Sequence, residues 1–200
     1  MRRTLLGLVL ALLALPAGAQ DPYPGLTLVS TRLSTQTHLI DLDGNVVKTW
    51  NGATEPAEFA YMLPDSSILR PCRVPLAGGR GGRIQRIDAN DQVVWDFTWA
   101  DATNLQHHDI EPMPDGNVLL VTWELYTIAE AQAKGRVDIA NDMKVTGIVE
   151  IEPEGPTGGN VVWRWRAWDH LVQDTDPAKP NYGAIADHPE RIDINWSDVP

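Results

Sequence analysis

Two adjacent histidines followed by an aspartate form the segment of this sequence that is best suited to chemistry. His107, His108 and Asp109 precede the turn sequence Pro-Asp-Gly-Asn at 114–117, which has apolar residues on both sides. Imidazoles act as general acids or bases, as nucleophiles, or as cations that stabilise negative charge, and a carboxylate can orient them. The spacing therefore predicts a β-hairpin whose first strand presents ionisable side chains near its beginning.

The hairpins that would hold this segment recur along the chain. Hairpins with a Val-Val step and an aromatic end cover 38–50, 83–97 and 147–165, and hairpins with a Pro-Asp turn cover 61–70 and 107–121. Both kinds recur after roughly 45–50 residues, which predicts four strands per repeat and is typical of a β-propeller blade. A sandwich of short hairpins is the alternative, but it does not explain why two hairpin types alternate.

The repeats predict an all-β chain that contains part of a propeller. The expected units are a signal peptide at 1–19 and a partial propeller at 20–200, divided into an outer half-blade at 37–50, blades at 58–97 and 108–166, and an irregular excursion at 168–200. Because propellers close with roughly four to eight blades, these about two and a half blades predict the amino-terminal part of a longer protein. A short helix at 127–134, stopped by Gly135, is expected inside the last blade.

The first strand of each propeller blade lines the central channel, so its ionisable residues bear on function. His108 lies six residues before Pro114, and Glu58 lies six residues before Pro64. Ionisable residues at one repeated position indicate a polar, functional channel rather than an apolar core. The alternative is that His107 and His108 only hydrogen-bond neighbouring loops and that Asp109 fixes a turn.

The amino terminus predicts export. Arg2 and Arg3 precede an apolar run at 5–15 and a small-residue cleavage site that ends at Ala19, which is the order of a secretory signal peptide. The run is shorter than the roughly 20 residues of a membrane-spanning helix. We therefore expect an exported protein that has no membrane association after cleavage. The net charge of −11 makes nucleic acid an unfavourable partner.

Other candidate residues carry weaker patterns. Cys72 is the only cysteine, so it cannot form a disulfide within these residues, and we expect it to be buried or paired elsewhere. The Asp-His pairs at 169–170 and 187–188 match no zinc spacing and are interpreted as structural, so no metal is expected. The glycine-rich stretch at 78–82 lacks the ending of a phosphate-binding loop and is interpreted as a flexible loop.

Several ordered segments together resemble the bacterial arylsulfate sulfotransferases. The segments are the hairpin at 39–50, the His-His-Asp hairpin, Trp-Arg-Trp at 163–165, Trp-Asp-His-Leu at 168–171, Asn-Tyr-Gly at 181–183 and Asp-His-Pro at 187–189. One Asp-Gly-Asn hairpin is unspecific, whereas the ordered series is more specific. The resemblance covers nearly all of the chain after the predicted signal peptide.

The resemblance implies a six-bladed periplasmic propeller that moves a sulfuryl group from a phenolic sulfate donor to a phenol acceptor. It implies a sulfohistidine intermediate and no cofactor or nucleotide donor. His108 matches the family's first channel histidine, which binds the substrate or stabilises the transition state. His107 is the second catalytic candidate, and Asp109 and Glu58 are the substrate-binding candidates, although the family gives Glu58 no role.

The same resemblance places the nucleophilic histidine and a sulfate-binding arginine in later blades, beyond residue 200. We therefore expect this segment to be inactive by itself. The alternatives are a sulfate-ester hydrolase, in which water replaces the acceptor, and a secreted propeller that binds a ligand without catalysis.

Overall fold

The computed structural model describes residues 23–75 and 81–196. The predicted signal peptide and most of the glycine-rich stretch lie outside the described residues. Strands make up 49% of the structure, so the prediction of an all-β chain is confirmed. Within the described residues, no helix has the length and apolar character that a membrane span requires.

Three antiparallel sheets contain most of the described strands, and in each sheet the strands follow one another in chain order. Sheet 1 contains β1 (Thr27–Ser30), β2 (Gln36–Ile40) and β3 (Val46–Asn51). Sheet 2 contains β4 (Tyr61–Met62), β5 (Ile68–Arg73), β6 (Gly82–Ile87) and β7 (Val93–Thr98). Sheet 3 contains β8 (Asn104–Pro112), β9 (Val118–Tyr126), β10 (Met143–Glu154) and β11 (Gly158–Arg166). None of the sheets closes on itself.

The three Val-Val hairpins share one irregularity, which reproduces the sequence repeat in the backbone. The pairing register shifts between Leu39 and Ile40, between Arg86 and Ile87, and between Glu150 and Ile151. In each hairpin the second valine of the Val-Val step is the extra residue on the outer strand, as in a β-bulge. The repeat therefore fixes strand register as well as strand position. β1 pairs with β2 and was not predicted from the sequence pattern.

A short helix and an irregular segment complete the described chain. The helix α1 (Ile128–Ala133) begins with a capping box between Thr127 and Glu130 and is followed by Gly135, which has a φ of +93°. This confirms the predicted helix. After β11, the chain forms two 3-10 turns and a two-residue parallel pair, β12 (Leu171–Val172) with β13 (Ile192–Asp193).

Sheet 2 is buried on both faces. Alternate residues of a strand point to opposite sides, so each strand of sheet 2 can contribute to two apolar clusters. Ile68 and Ile87 join Trp50 of sheet 1 in one apolar cluster. Leu69 and Ile84 join a second cluster with residues of sheet 3, including Leu120. Each fully buried aliphatic side chain of this size contributes about 1.5–3 kcal/mol. Two apolar layers therefore hold the three sheets side by side.

A fully buried arginine supplements the apolar layer between sheets 1 and 2. Arg70 donates from Nη1 to the carbonyl of Thr35 at 2.8 Å and from Nη2 to the carbonyl of Thr54 at 2.6 Å. Its Nη1 also lies 3.3 Å from the hydroxyl of Thr37. A buried charge without such hydrogen bonds would be costly, so these oxygens fix the position of the guanidinium.

We predict that Gly52→Ala destabilises the protein through Arg70. A Cβ at position 52 would lie 1.5 Å from Arg70 Nη2, and the guanidinium can retreat only by giving up hydrogen bonds. The free energy of unfolding, measured by urea denaturation, should fall by about 1–3 kcal/mol. Gly25→Ala is the matched control, because a Cβ there meets nothing within 4 Å. Equal stabilities of the two variants would contradict this account of Arg70.

Candidate functional site

The candidate site is a bulge of three residues that interrupts β8 at the two histidines. Gln106 pairs with Thr122 and Ile110 pairs with Leu120, so the three residues 107–109 stand opposite one residue of β9. His108 has a φ of +58°, in the left-handed region that residues with a Cβ rarely adopt. Such a conformation costs on the order of 1 kcal/mol and persists only where the surroundings impose it.

Asp109 and Gln106 hold this bulge from its two ends. Asp109 Oδ1 accepts a hydrogen bond from the Tyr61 hydroxyl at 2.8 Å and another from the Ile110 amide at 2.8 Å. The buried Gln106 donates to the Asp109 carbonyl at 3.3 Å and accepts from the Gly82 amide at 2.7 Å. Burial, and then Asp109, raise the pKa of Tyr61, so its hydroxyl keeps its proton and remains a donor. Residues of sheet 2 thus fix the bulge of sheet 3.

The close contact between Gly81 and Gln106 requires glycine at position 81. A Cβ at position 81 would lie 2.4 Å from Gln106 Oε1 and 2.6 Å from the Gln106 carbonyl oxygen. Only glycine lets the β5–β6 connection approach the base of the bulge so closely. The glycine-rich sequence therefore has a steric role at Gly81, where it meets Gln106.

The two imidazoles form a perpendicular, hydrogen-bonded pair. The Nδ1 atoms of His107 and His108 lie 2.9 Å apart, and the ring planes meet at 89°. His107 also stacks on Trp123 with ring centroids 4.2 Å apart. Because only one proton lies between the two Nδ1 atoms, one ring donates and the other accepts.

Burial separates the two histidines chemically. His107 is 9% exposed, and burial, with a smaller contribution from His108, lowers the pKa of His107 to about 4. His107 is therefore neutral at pH 7. His108 is half-buried and is therefore more accessible than His107. Lys144 Nζ lies 4.9 Å from the centre of the Trp123 ring, on which His107 stacks.

The structure brings three of the four predicted site residues together. His107, His108 and Asp109 share the bulge, but the Asp109 carboxylate already has two partners within the protein. Glu58 is half-buried in the segment that precedes β4. The proposed roles of all four residues in substrate binding or catalysis stay predictions.

The weaker candidates of the sequence have local structural roles. Asp169 accepts from Arg166 at 2.8 Å, and His170 stacks on Trp165 at 5.1 Å. His188 Nδ1 lies 3.3 Å from Glu190 Oε1. Cys72 is buried, and burial raises the pKa of its thiol. Within the described ranges, no group of three or more His, Cys, Asp or Glu side chains is arranged to hold a metal ion.

Sequence reasoning missed Tyr61, Gln106, Trp123 and Lys144. The Tyr61 position is three residues before Pro64 in one of the predicted hairpins, so the repeat could have indicated that it lies near the bulge. Trp123 lies on β9, two residues beyond the end of the hairpin predicted at 107–121. Nothing in the local sequence distinguishes Gln106 or Lys144.

Comparisons with known proteins identify no family. No family model and no curated protein matches the chain. Among solved structures, the chain is similar to a protein of unknown function from Bacteroides caccae, with a TM-score of 0.45 and 15% sequence identity. The similarity covers 72% of this chain and 41% of that protein, so the chain spans less than half of its length.

We predict that His107 makes the protein less stable in mild acid. Its pKa is about 4 in the folded protein and about 6.5 when unfolded, so between these values the unfolded chain binds the extra proton. The free energy of unfolding should therefore decrease as the pH falls from about 6.5 to about 4, by on the order of 2 kcal/mol from this residue. His107→Gln should remove that part of the pH dependence in urea titrations. An NMR titration midpoint of His107 at or above pH 6.5 would contradict the prediction.

Proposed function

We propose that the three sheets are successive blades of a β-propeller and that the complete propeller transfers a sulfuryl group from an aryl sulfate ester to a phenol. The proposal includes export to the periplasm or the cell exterior. The observation that carries it is the pair of imidazoles on a strained bulge, at the position where the arylsulfate sulfotransferases that the sequence resembles have their first channel histidine.

Support for further blades comes from the outward face of sheet 3. Sheet 2 packs on sheet 3 through Leu69, Ile84, Trp95 and Phe97. The residues at the same repeat positions of sheet 3 are Leu119, Ile148, Trp163 and Trp165. Trp95 is 4% exposed, whereas Trp163 is 48% exposed. A further sheet packed in the same way would bury this apolar face, as in consecutive propeller blades.

The geometry of the histidine pair suits recognition of sulfuryl oxygens. His107 Nε2 is buried and has no hydrogen-bond partner in the described part of the chain. We infer that the shared proton is on His107 Nδ1, because the buried Nε2 is then a bare acceptor rather than an N–H group without a partner. His108 Nδ1 then accepts, and His108 presents Nε2–H to a ligand. We therefore assign His107 as a positioning residue and His108 as the residue that contacts the sulfuryl group.

Sulfuryl transfer would proceed in two displacements. A nucleophilic imidazole nitrogen attacks the sulfur, the sulfur–oxygen ester bond breaks, and the phenolate leaves and takes a proton from a donor. The acceptor phenol then gives its proton to a base while its oxygen attacks the sulfur and the sulfur–nitrogen bond breaks. The resemblance assigns the nucleophile to a later blade. The N–H group of His108 would offset the negative charge on the sulfuryl oxygens in both steps.

The test compares His108→Asn with the wild type in the complete protein. Transfer from 4-nitrophenyl sulfate to phenol should fall roughly 10²-fold, because the variant loses the hydrogen bond to the transition state. His188→Asn is the matched control, since His188 lies in the segment after β11, and it should retain wild-type turnover.

Three outcomes would overturn the proposal. Unchanged transfer in His108→Asn would remove that residue from the mechanism. Release of inorganic sulfate at a rate independent of phenol would identify a hydrolase. Absence of turnover in the wild type, together with saturable binding of the ester, would identify a binding protein.

A further inference from the structure

A cleft between two hairpin turns has no part in the proposed sulfuryl transfer. It lies where the β4–β5 turn at 63–67 meets the β8–β9 turn at 113–117, and we call it the turn cleft. Its volume is about 430 Å³, within the roughly 300–1,000 Å³ of small-molecule sites. Three residues of β9 separate Val121, which stands opposite the bulge, from Val118, which pairs with Pro112. At the rise of a strand this is roughly 10 Å, so the turn cleft and the histidine pair lie at different positions along β8.

The walls of the turn cleft are apolar and belong to both sheets. Sheet 2 contributes Met62, Leu69 and Trp95, and sheet 3 contributes Pro112, Val118 and the nearby Pro153. Proline, methionine and tryptophan side chains make favourable contacts with aromatic rings. A slot between the ends of two packed sheets also favours a flat molecule, because face-to-face sheets lie roughly 10 Å apart.

Two turns with the same backbone hydrogen bonds preform this cleft before a ligand arrives. The amide of Leu63 donates to the carbonyl of Ser67, and that of Met113 donates to the carbonyl of Asn117, both at 2.8 Å. The carboxylate of Asp65 accepts from the amide of Ser67 at 3.0 Å, and that of Asp115 from the amide of Asn117 at 3.1 Å. A preformed site spends little free energy on ordering its walls when a ligand binds.

The charged side chains that line the turn cleft are Asp65 and Arg86, which form an ion pair with no net charge. Arg86 donates from Nε to the Ser67 hydroxyl at 3.0 Å and from Nη2 to Asp65 at 2.6 Å. Hydrogen bonds from Ser67, and then the pairing with Arg86, lower the pKa of Asp65 to about 2, so its carboxyl is ionised at neutral pH. Since the chain has a net charge of −11, an anionic ligand gains nothing from the balanced pair and is repelled by the protein as a whole.

We propose that the turn cleft binds a neutral aromatic molecule of two or three rings. The rings lie between Met62 of sheet 2 and Pro112 of sheet 3, over a floor that includes the buried Leu69 and Val118. The guanidinium of Arg86 borders the ligand but remains paired with Asp65. This site is independent of the histidine pair and of sulfuryl transfer.

The test uses two fluorescent dyes that differ by one sulfonate. N-phenyl-1-naphthylamine is neutral, and 1-anilinonaphthalene-8-sulfonate is its anionic counterpart. The neutral dye should bind to one saturable site and bind at least roughly tenfold more tightly than the anionic dye. Tighter binding of the anionic dye to the wild type would overturn the assignment of a neutral ligand.

Two variants locate the dye. Met62→Trp fills the turn cleft, and because Met62 is 40% exposed the larger side chain can be accommodated. It should weaken binding of the neutral dye at least roughly tenfold. Trp163→Ser alters the exposed apolar face of sheet 3 and should leave binding unchanged. Loss of binding in Trp163→Ser, or its retention in Met62→Trp, would overturn the location.

A third variant tests the ion pair without filling the cleft. Asp65→Asn leaves Arg86 without its counter-charge while keeping a side-chain oxygen for the Ser67 amide. The anionic dye should then bind roughly five- to tenfold more tightly, and binding of the neutral dye should not change. Identical affinities for the anionic dye in the variant and the wild type would show that it does not bind near Arg86 and would overturn the proposal.

Discussion

The burial of sheet 2 on both faces is the constraint on which the rest of the structure depends. Leu69 and Ile84 pack toward sheet 3, while Ile68 and Ile87 pack toward sheet 1. These residues lie on β5 and β6. A shift of either strand by one residue would exchange its two faces and bury polar side chains in both apolar layers. With sheet 2 fixed in this way, its Tyr61 reaches across to the bulge that carries the histidines.

The strained conformation of His108 is maintained by contacts that come from outside its own strand. Tyr61 and Gly82 both belong to sheet 2, and their hydrogen bonds hold Asp109 and Gln106 on either side of the histidines. Strain of this kind is common where side chains must be presented in one geometry. The bulge leaves His107 buried and neutral and His108 accessible, so one sequence dipeptide provides two imidazoles with different properties.

Features that depend on local chemistry could be predicted from the sequence, and features that depend on distant contacts could not. The capping box of α1 and the Pro-Asp turns are set by neighbouring residues, and the sequence repeat predicts the Val-Val hairpins. The bulge at 107–109 has no local signature, because it contains no glycine and is imposed by sheet 2. The buried Arg70 was likewise unrecognisable, since its partners Thr35 and Thr54 belong to distant parts of the chain.

The recurrent bulge at the Val-Val step lies on an edge strand in each of its three hairpins. The strands β3, β7 and β11 each form one edge of a sheet. Backbone groups at such an edge can pair with another molecule wherever the protein itself does not bond them. In each of them the second valine breaks the regular spacing and increases the local twist. An incoming strand from another copy would lose register at that point. The repeat therefore places an obstacle to edge-to-edge pairing at one edge of each of the three antiparallel sheets that the structure describes.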